Sequence, residues 1–173
     1  MNLGVDTSMR STPEPLQPGI GLRPGGERPD LEDVVVVLNA AMYESIAAHA
    51  GLGLDVVVDV GHHEAYSKPL HILRDGARRL AGLQVLWVGV RCPIDVIWQR
   101  REESWGQRRD CADEELLAAA ERWQYEVHAH SSYDLEVDTS VLTPAQCTEI
   151  IAKRLRTGPS GTAFEMLARQ GTA

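Results

Sequence analysis

Residues Leu54–Val60 read LDVVVDV. The run is dense in β-branched residues and is bounded by Gly53 and Gly61, a composition that favours a short extended segment over a helix. Such runs belong to strands covered on both faces, the usual environment of a parallel sheet. Asp59 falls at the end of the run, where a strand delivers a side chain to its C-terminal edge.

Working outward, Asn2–Asp6 (NLGVD) is a second short apolar run ending on a carboxylate, and Gln84–Val90 a third. Leu135–Val137 makes one more short strand. Between them lie stretches of helical period. Apolar positions from Val34 through Leu38, Ala41, Met42 and Ile46 to Gly51 predict a long helix, with Asp30 as N-cap, Asp33 at the capping-box position and Gly51 as C-terminal cap. Further helices are predicted from Lys68 or Pro69 to Leu80, from Asp95 to about Ser104 and from Asp113 to about His128. A last one starts at Pro144, capped by Thr143, and runs to about Leu155. Ser11–Asp30, crowded with proline and glycine, predicts a long loop. Residues 157–173 predict a loosely held tail with a weak helical stretch near Phe164–Ala168.

Strands alternating with helices define an α/β domain with a mostly parallel sheet, in which ligands sit beyond the C-terminal strand ends. The residues at those ends are Asp6, Asp59, Arg91 and Asp138. With 173 residues, 43% of them hydrophobic, one domain with a real core is expected. A formal charge of -8 and a pI near 5.2 disfavour nucleic acid and anionic membranes as partners. No apolar run in the sequence approaches the roughly 20 residues of a membrane span, and the N-terminus lacks a basic-then-apolar secretory pattern, so a cytoplasmic location is expected. Cys92, Cys111 and Cys147 are odd in number and widely spaced, which argues against both a disulfide framework and a structural zinc site.

Three segments carry a more specific signal. LQVLWVGVRCP (Leu83–Pro93), YEVHAH (Tyr125–His130) and YDLEVDTS (Tyr133–Ser140) closely resemble the chloramphenicol phosphotransferase family of P-loop kinases. NLGVD and LDVVVDV fall where that family has its second and third strands. The resemblance implies a three-layer, P-loop-kinase-like fold over residues 1–156. It also implies ATP-dependent transfer of a phosphoryl group to a hydroxyl of a small molecule, with ATP and Mg2+ as cofactors and antibiotic resistance as the setting.

The resemblance makes Asp6 the base that receives the proton of the acceptor hydroxyl. A second reading, in which Asp6 caps the next turn, is open from the residues alone. Arg100, Arg101, Arg108 and Arg109 flank a charged break where such kinases carry a mobile lid, and guanidinium groups there stabilise transferring oxygens or hold the nucleotide. Beside Glu102, Glu103 and Asp110 they read equally well as a solvated, ion-paired face. Asp59 is a candidate for holding magnesium through water or for touching the substrate, and equally for capping a turn. Asp138 and Thr139 lie on a loop that in the resembling fold passes near the adenine, though an Asp-Thr-Ser turn also arises for local reasons. The loop Ser11–Asp30 is the expected wall of the acceptor pocket. His62 and His63 are expected as exposed surface or substrate contacts and not as a metal pair. The four tryptophans are expected to serve packing.

One part of the family pattern is missing. No GK[ST] occurs in the chain, and GLRPGGERPD has glycines without the Lys-Ser/Thr pair that grips phosphates and magnesium. In the resembling fold the strand before that loop is central. Its absence is expected to leave neighbouring strands short of pairing partners, and the natural gene is expected to begin upstream of Met1. Two functions follow: a phosphotransferase whose nucleotide grip lies outside this sequence, or a non-catalytic remnant that binds a small molecule or partner. A third reading, a metal-dependent hydrolase using Asp59, His62 and His63, requires bound metal.

Overall fold

The computed structural model describes residues 1–18, 22, 28–106, 114–129 and 132–170. The chain divides into two units: one runs from Met1 to Val85 and takes in the C-terminal segment from Phe164, and the other spans Leu86–Ala163.

In the first unit the order is β1 (Asn2–Gly4), α1 (Val5–Ser11), 3-10 turns at Glu14–Leu16 and Pro29–Leu31, α2 (Glu32–Gly51), β2 (Val57–Asp59) and α3 (Ile72–Arg79). β1 and β2 pair in parallel with Asn2 opposite Val57, Leu3 opposite Val58 and Gly4 opposite Asp59. Parallel neighbours need a long crossover, and α1 with α2 supplies it. The Met1 ammonium donates to the Asp55 carbonyl at 2.5 Å, and the Val57 N–H donates to the Met1 carbonyl at 2.8 Å, extending the ladder by one residue.

α2 starts differently from the expected cap. Leu31 is the N-cap residue and offers no side-chain bond. Asp30 is instead held by the Arg28 guanidinium at 2.9 and 2.7 Å, and Asp33 by the Lys68 ammonium at 2.9 Å. The helix includes Gly51, and the left-handed residue after it is Gly53, with φ of 87°, a conformation open to glycine at little cost. Val35, Met42, Tyr43 and Ile46 of α2 are buried, as are Ile72, Ala77 and Leu80 in and just after α3. The two helices meet where Gly76 lets the Tyr43 ring pass: a Cβ there would stand 2.7 Å from Tyr43 Cδ2.

The last helix, α7 (Ala163–Arg169), contributes buried Phe164 and Leu167. Arg78 of α3 donates to the carbonyls of Ala168 and Gln170 at 3.4 and 3.1 Å, satisfying acceptors that a helix end leaves open.

By length and composition Pro29–Gly51 is apolar enough to cross a membrane, although the sequence reading found no run of that length. Its Glu32 is buried and hydrogen-bonded to Ser67 within the unit, and one face packs on α3.

In the second unit β3 (Val88–Arg91) pairs in parallel with β4 (Leu135–Asp138), Gly89 lying opposite Glu136 and Arg91 opposite Asp138. The crossover carries α4 (Ile94–Trp105) and α5 (Glu114–Glu126), and α6 (Pro144–Thr157) follows β4. α6 begins as its sequence demands: the Thr143 side chain accepts from the Gln146 N–H at 3.3 Å, the Gln146 side chain accepts from the Thr143 N–H at 2.8 Å, and Pro144 is the first helical residue. Trp98, Ala119, Ala120, Val137 and Cys147 are buried. Asp134 ties the chain ends of the unit together, accepting from the N–H groups of Trp87, Thr162 and Ala163 at 2.9, 2.7 and 3.0 Å. Burial alone would raise its carboxyl pKa, and the three N–H groups outweigh that and lower it.

The result is a mixed α/β architecture with two two-stranded parallel sheets among the described residues, compatible with the kinase-like fold expected. The expected full coverage of β2 is absent, since Val57 is 69% exposed and Val90 of β3 is 55% exposed. Each of these strands hydrogen-bonds to one neighbouring strand among the described residues.

Candidate functional site

The edge of the β1–β2 sheet holds two of the predicted residues. β1 stops at Gly4, earlier than the sequence suggested, so Asp6 lies in the first turn of α1 and not on the strand itself. Asp59 ends β2, directly opposite Gly4. Both carboxylates are exposed, and among the described residues neither takes a hydrogen bond or an ion pair.

Most other acids nearby are committed. The buried Glu32 carboxylate accepts from the Ser67 N–H at 2.7 Å and from its hydroxyl. These bonds hold its pKa below the usual carboxylate value. Glu64 accepts from the N–H groups of Leu70 and His71 at 3.1 Å each. A base must have an acceptor to spare, and Asp6 and Asp59 meet that requirement.

Between β2 and α3 the chain runs without regular structure from Val60 to His71, yet it is held firmly. Glu32 and Glu64 fix its backbone, and the Tyr43 hydroxyl is hydrogen-bonded to His62 Nε2 at 2.8 Å. His63 is buried and stacks on the Tyr66 ring at 4.5 Å, with its Nδ1 accepting from the Ala65 N–H at 3.2 Å. The expectation of an exposed histidine pair is therefore corrected: His63 is buried and His62 faces inward to Tyr43. Burial, with a smaller push from His63, lowers the His62 pKa to about 4, so the imidazole is neutral at neutral pH. Burial raises the Tyr43 hydroxyl well above its ordinary value, and burial followed by the charges of Glu64 and Glu32 pushes Tyr66 up to about 12. No group of three or more His, Cys, Asp or Glu suited to a metal ion occurs among the described residues.

At the β3–β4 edge, Arg100 of α4 donates to the Thr139 hydroxyl at 3.0 Å and to the Thr139 carbonyl, and Cys92 Sγ lies 3.6 Å from the same guanidinium. Thr139 in turn donates from its hydroxyl to the Arg91 carbonyl at 3.2 Å. Asp138 accepts from the Ser140 N–H at 2.8 Å and from its hydroxyl at 2.6 Å, which lowers the Asp138 pKa. Two predicted residues, Arg100 and Thr139, are thus in direct contact, with Asp138 beside them.

Arg101 faces away from that loop, over the rings of Trp98 and Trp105 at 5.1 and 6.0 Å. Trp98 is buried, whereas Trp105 is 69% exposed and serves that stack more than any core. Arg108 and Arg109, with Cys111 and His130, lie outside the described residues. On β3, Gly89 gives the Tyr133 ring room to lie across the strand, with a Cβ there 2.6 Å from Tyr133 Cδ2. Arg91 sits over that ring at 5.4 Å and pairs with Glu136 at 2.7 Å, and His128 Nδ1 is hydrogen-bonded to the Tyr133 hydroxyl at 2.6 Å.

The sequence reading missed the bracing by Glu32 and Glu64 and the two close approaches at Gly4 and Gly89. The glycines were visible inside NLGVD and LWVGV, and a glycine within a strand signals close approach.

Parallel βαβ units with polar residues gathered at C-terminal strand edges are compatible with a kinase-like α/β fold. The particular family follows from comparison: the description "chloramphenicol phosphotransferase-like protein" matches residues 1–156, and the chain belongs to that family. A search of the curated proteins finds no match. The family relationship is to phosphotransferase-type kinases, with nucleotide and magnesium use and a small-molecule substrate in general.

Proposed function

We propose that this chain bears the catalytic base and acceptor site of an ATP-dependent phosphotransferase acting on a hydroxyl of a small, chloramphenicol-like molecule in the cytoplasm. The observation that carries the reading is Asp6: a carboxylate in the turn that leaves β1, exposed and uncommitted, in a chain of this family. In this role an Asp6 oxygen takes the hydroxyl proton as the acceptor oxygen attacks phosphorus. Arg100, Arg101 and Arg108 are assigned to charge on the transferring group, and Arg109, Asp138 and Thr139 to the nucleotide. Asp59 is assigned to magnesium through water or to the acceptor.

Those residues make only part of a grip for ATP and Mg2+. The chain has no GK[ST], and its described residues hold no metal-ligand cluster. We assign that grip to a further strand, loop and helix, and the pairing of β2 and of β3 with a single strand each among the described residues supports the assignment. The chain alone is then expected to bind acceptor without turnover.

Calorimetry with chloramphenicol and with Mg-ATP tests this. Binding of the first, lost in Asp6→Asn, and no binding of the second is the expected result. Turnover should appear when a strand-GxxxxGK[ST]-helix segment is supplied ahead of Met1. Turnover by the chain alone, or failure to bind chloramphenicol, refutes the proposal. The lack of GK[ST] also favours a second reading, a non-catalytic binding protein, which predicts ligand binding with no turnover in either form.

A further inference from the structure

We propose that the outward face of α2 is the interface of a two-fold dimer, its occupant a second copy of this chain. The proposal does not depend on the acceptor site and extends beyond it.

A surface helix ordinarily buries one apolar stripe and shows water a polar one. α2 buries Val35, Met42, Tyr43 and Ile46. Yet its opposite stripe, followed at helical steps of three and four, reads Val34, Val37, Ala41, Ser45 and Ala48. Val37 is 65% exposed, and Ala41 and Ala48 are exposed with it. Leu52, one residue past the helix, continues the stripe and is 83% exposed. No charged residue lies on this line. The acids at its margins are each matched by a cation of their own unit, Asp33 by Lys68 and Glu44 by Arg79. An uncharged, exposed stripe rimmed by polar residues marks a contact surface.

The order of sizes along the stripe selects the occupant. Its bulk lies in the first half, at Val34 and Val37, and its small residues in the second, at Ser45 and Ala48. A two-fold axis through Ala41 runs two copies of α2 antiparallel and sets Val34 against Ala48 and Val37 against Ser45 of the other copy. Large then faces small at each step, the pattern by which facing side chains interdigitate. A parallel pairing would set valine against valine. Charge points the same way, because a chain of formal charge -8 repels its copies, and contact across this stripe between neutralised margins brings no unmatched like charges together. A lipid surface fits less well, since it would strip water from both ion pairs. From Val34 to Ala48 the stripe is about 21 Å long. One helix face of that length belongs to the weak class of interfaces, below about 1,200 Å2, so the dimer should dissociate on dilution.

The test is analytical ultracentrifugation of the full chain from about 1 μM to about 1 mM, the range in which weak contacts form. The mass should rise from 19.0 kDa toward twice that and stop there, because a two-fold contact closes on itself. Ala41→Glu keeps a good helix former while placing like charges at the axis, and it should stay monomeric throughout with an unchanged circular dichroism spectrum. Val57→Glu, on β2, should dimerise as wild type does. If Ala41→Glu does not fold, Val37→Glu at its exposed position takes its place. A wild-type monomer at every concentration overturns the proposal, as does a dimer that survives Ala41→Glu or is lost in Val57→Glu. Growth past the dimer overturns it too, by showing an open-ended contact. A monomer that sediments with phosphatidylcholine vesicles gives the face to lipid. Loss of the dimer when a strand-GxxxxGK[ST]-helix segment precedes Met1 gives the face to that segment, and either result overturns the proposal.

Discussion

His62 offers the sharpest energetic test of the first unit. Its imidazole is hydrogen-bonded to Tyr43, and burial followed by the charge of His63 moves its pKa from 6.5 to about 4. The folded pKa lies below the unfolded one, so the unfolded chain binds the extra proton and acid favours unfolding. The contribution is fully present above pH 6.5 and is lost progressively as pH falls toward 4. For these two values the linkage relation gives a loss of about 2 kcal/mol between pH 7 and pH 5. Glu32, with its pKa lowered, begins to lose its contribution only near and below 4.5, so the pH 5–7 window isolates imidazole. The readout must be local, because Trp87, Trp98, Trp105 and Trp123 all belong to the second unit and their fluorescence reports that unit. Hydrogen exchange of α2 and α3 amides, corrected for intrinsic rate, should show opening free energies about 2 kcal/mol lower at pH 5 than at pH 7. In His62→Asn, which keeps a partner for Tyr43 without the titration, most of that slope should vanish. An NMR titration placing His62 near 6.5, or an unchanged slope in the variant, would refute the reasoning.

Other outcomes follow from single contacts. Glu32→Gln puts an amide where Ser67 donates twice, and leaving such a buried group mismatched costs about 1–3 kcal/mol, visible as faster exchange of the 60–71 amides. Gly89→Ala forces the Tyr133 ring off β3 and should cost about 1–3 kcal/mol in the second unit, read by tryptophan fluorescence during urea unfolding. Thr143→Ala removes the α6 cap and should cost about 1 kcal/mol by the same measurement, while Thr143→Ser should cost little.

Features with local causes were legible in the sequence. The Thr143–Pro144 start of α6 needs only residues within one turn, and it folds as read. The α2 and α5 helices come from apolar spacing within their own length. Features that depend on distant partners were hidden. The inward turn of His62 is set by Tyr43, 19 positions away, and the brace at Ser67 by Glu32, 35 positions away. The strands shrank for a similar reason. LDVVVDV has the composition of an interior strand, but a ladder extends only as far as its neighbour does, and β1 offers three residues. For the candidate site, the sequence pointed to Asp6 and Asp59 by position. That their carboxylates are uncommitted, while Arg100 is tied to Thr139, is a matter of tertiary contacts.

The second edge of β2, which pairs with no strand among the described residues, also bears on solubility. Within its three consecutive valines Val57 is exposed, and a strand edge of that composition would invite copies of the chain to stack on one another at high concentration. Asp55 and Asp59 bracket those valines and place like charges at both ends of any in-register stack, working as gatekeepers against aggregation. If Asp59 also serves the ligand, replacing it would reduce colloidal stability as well as binding, and the two losses would separate on dilution.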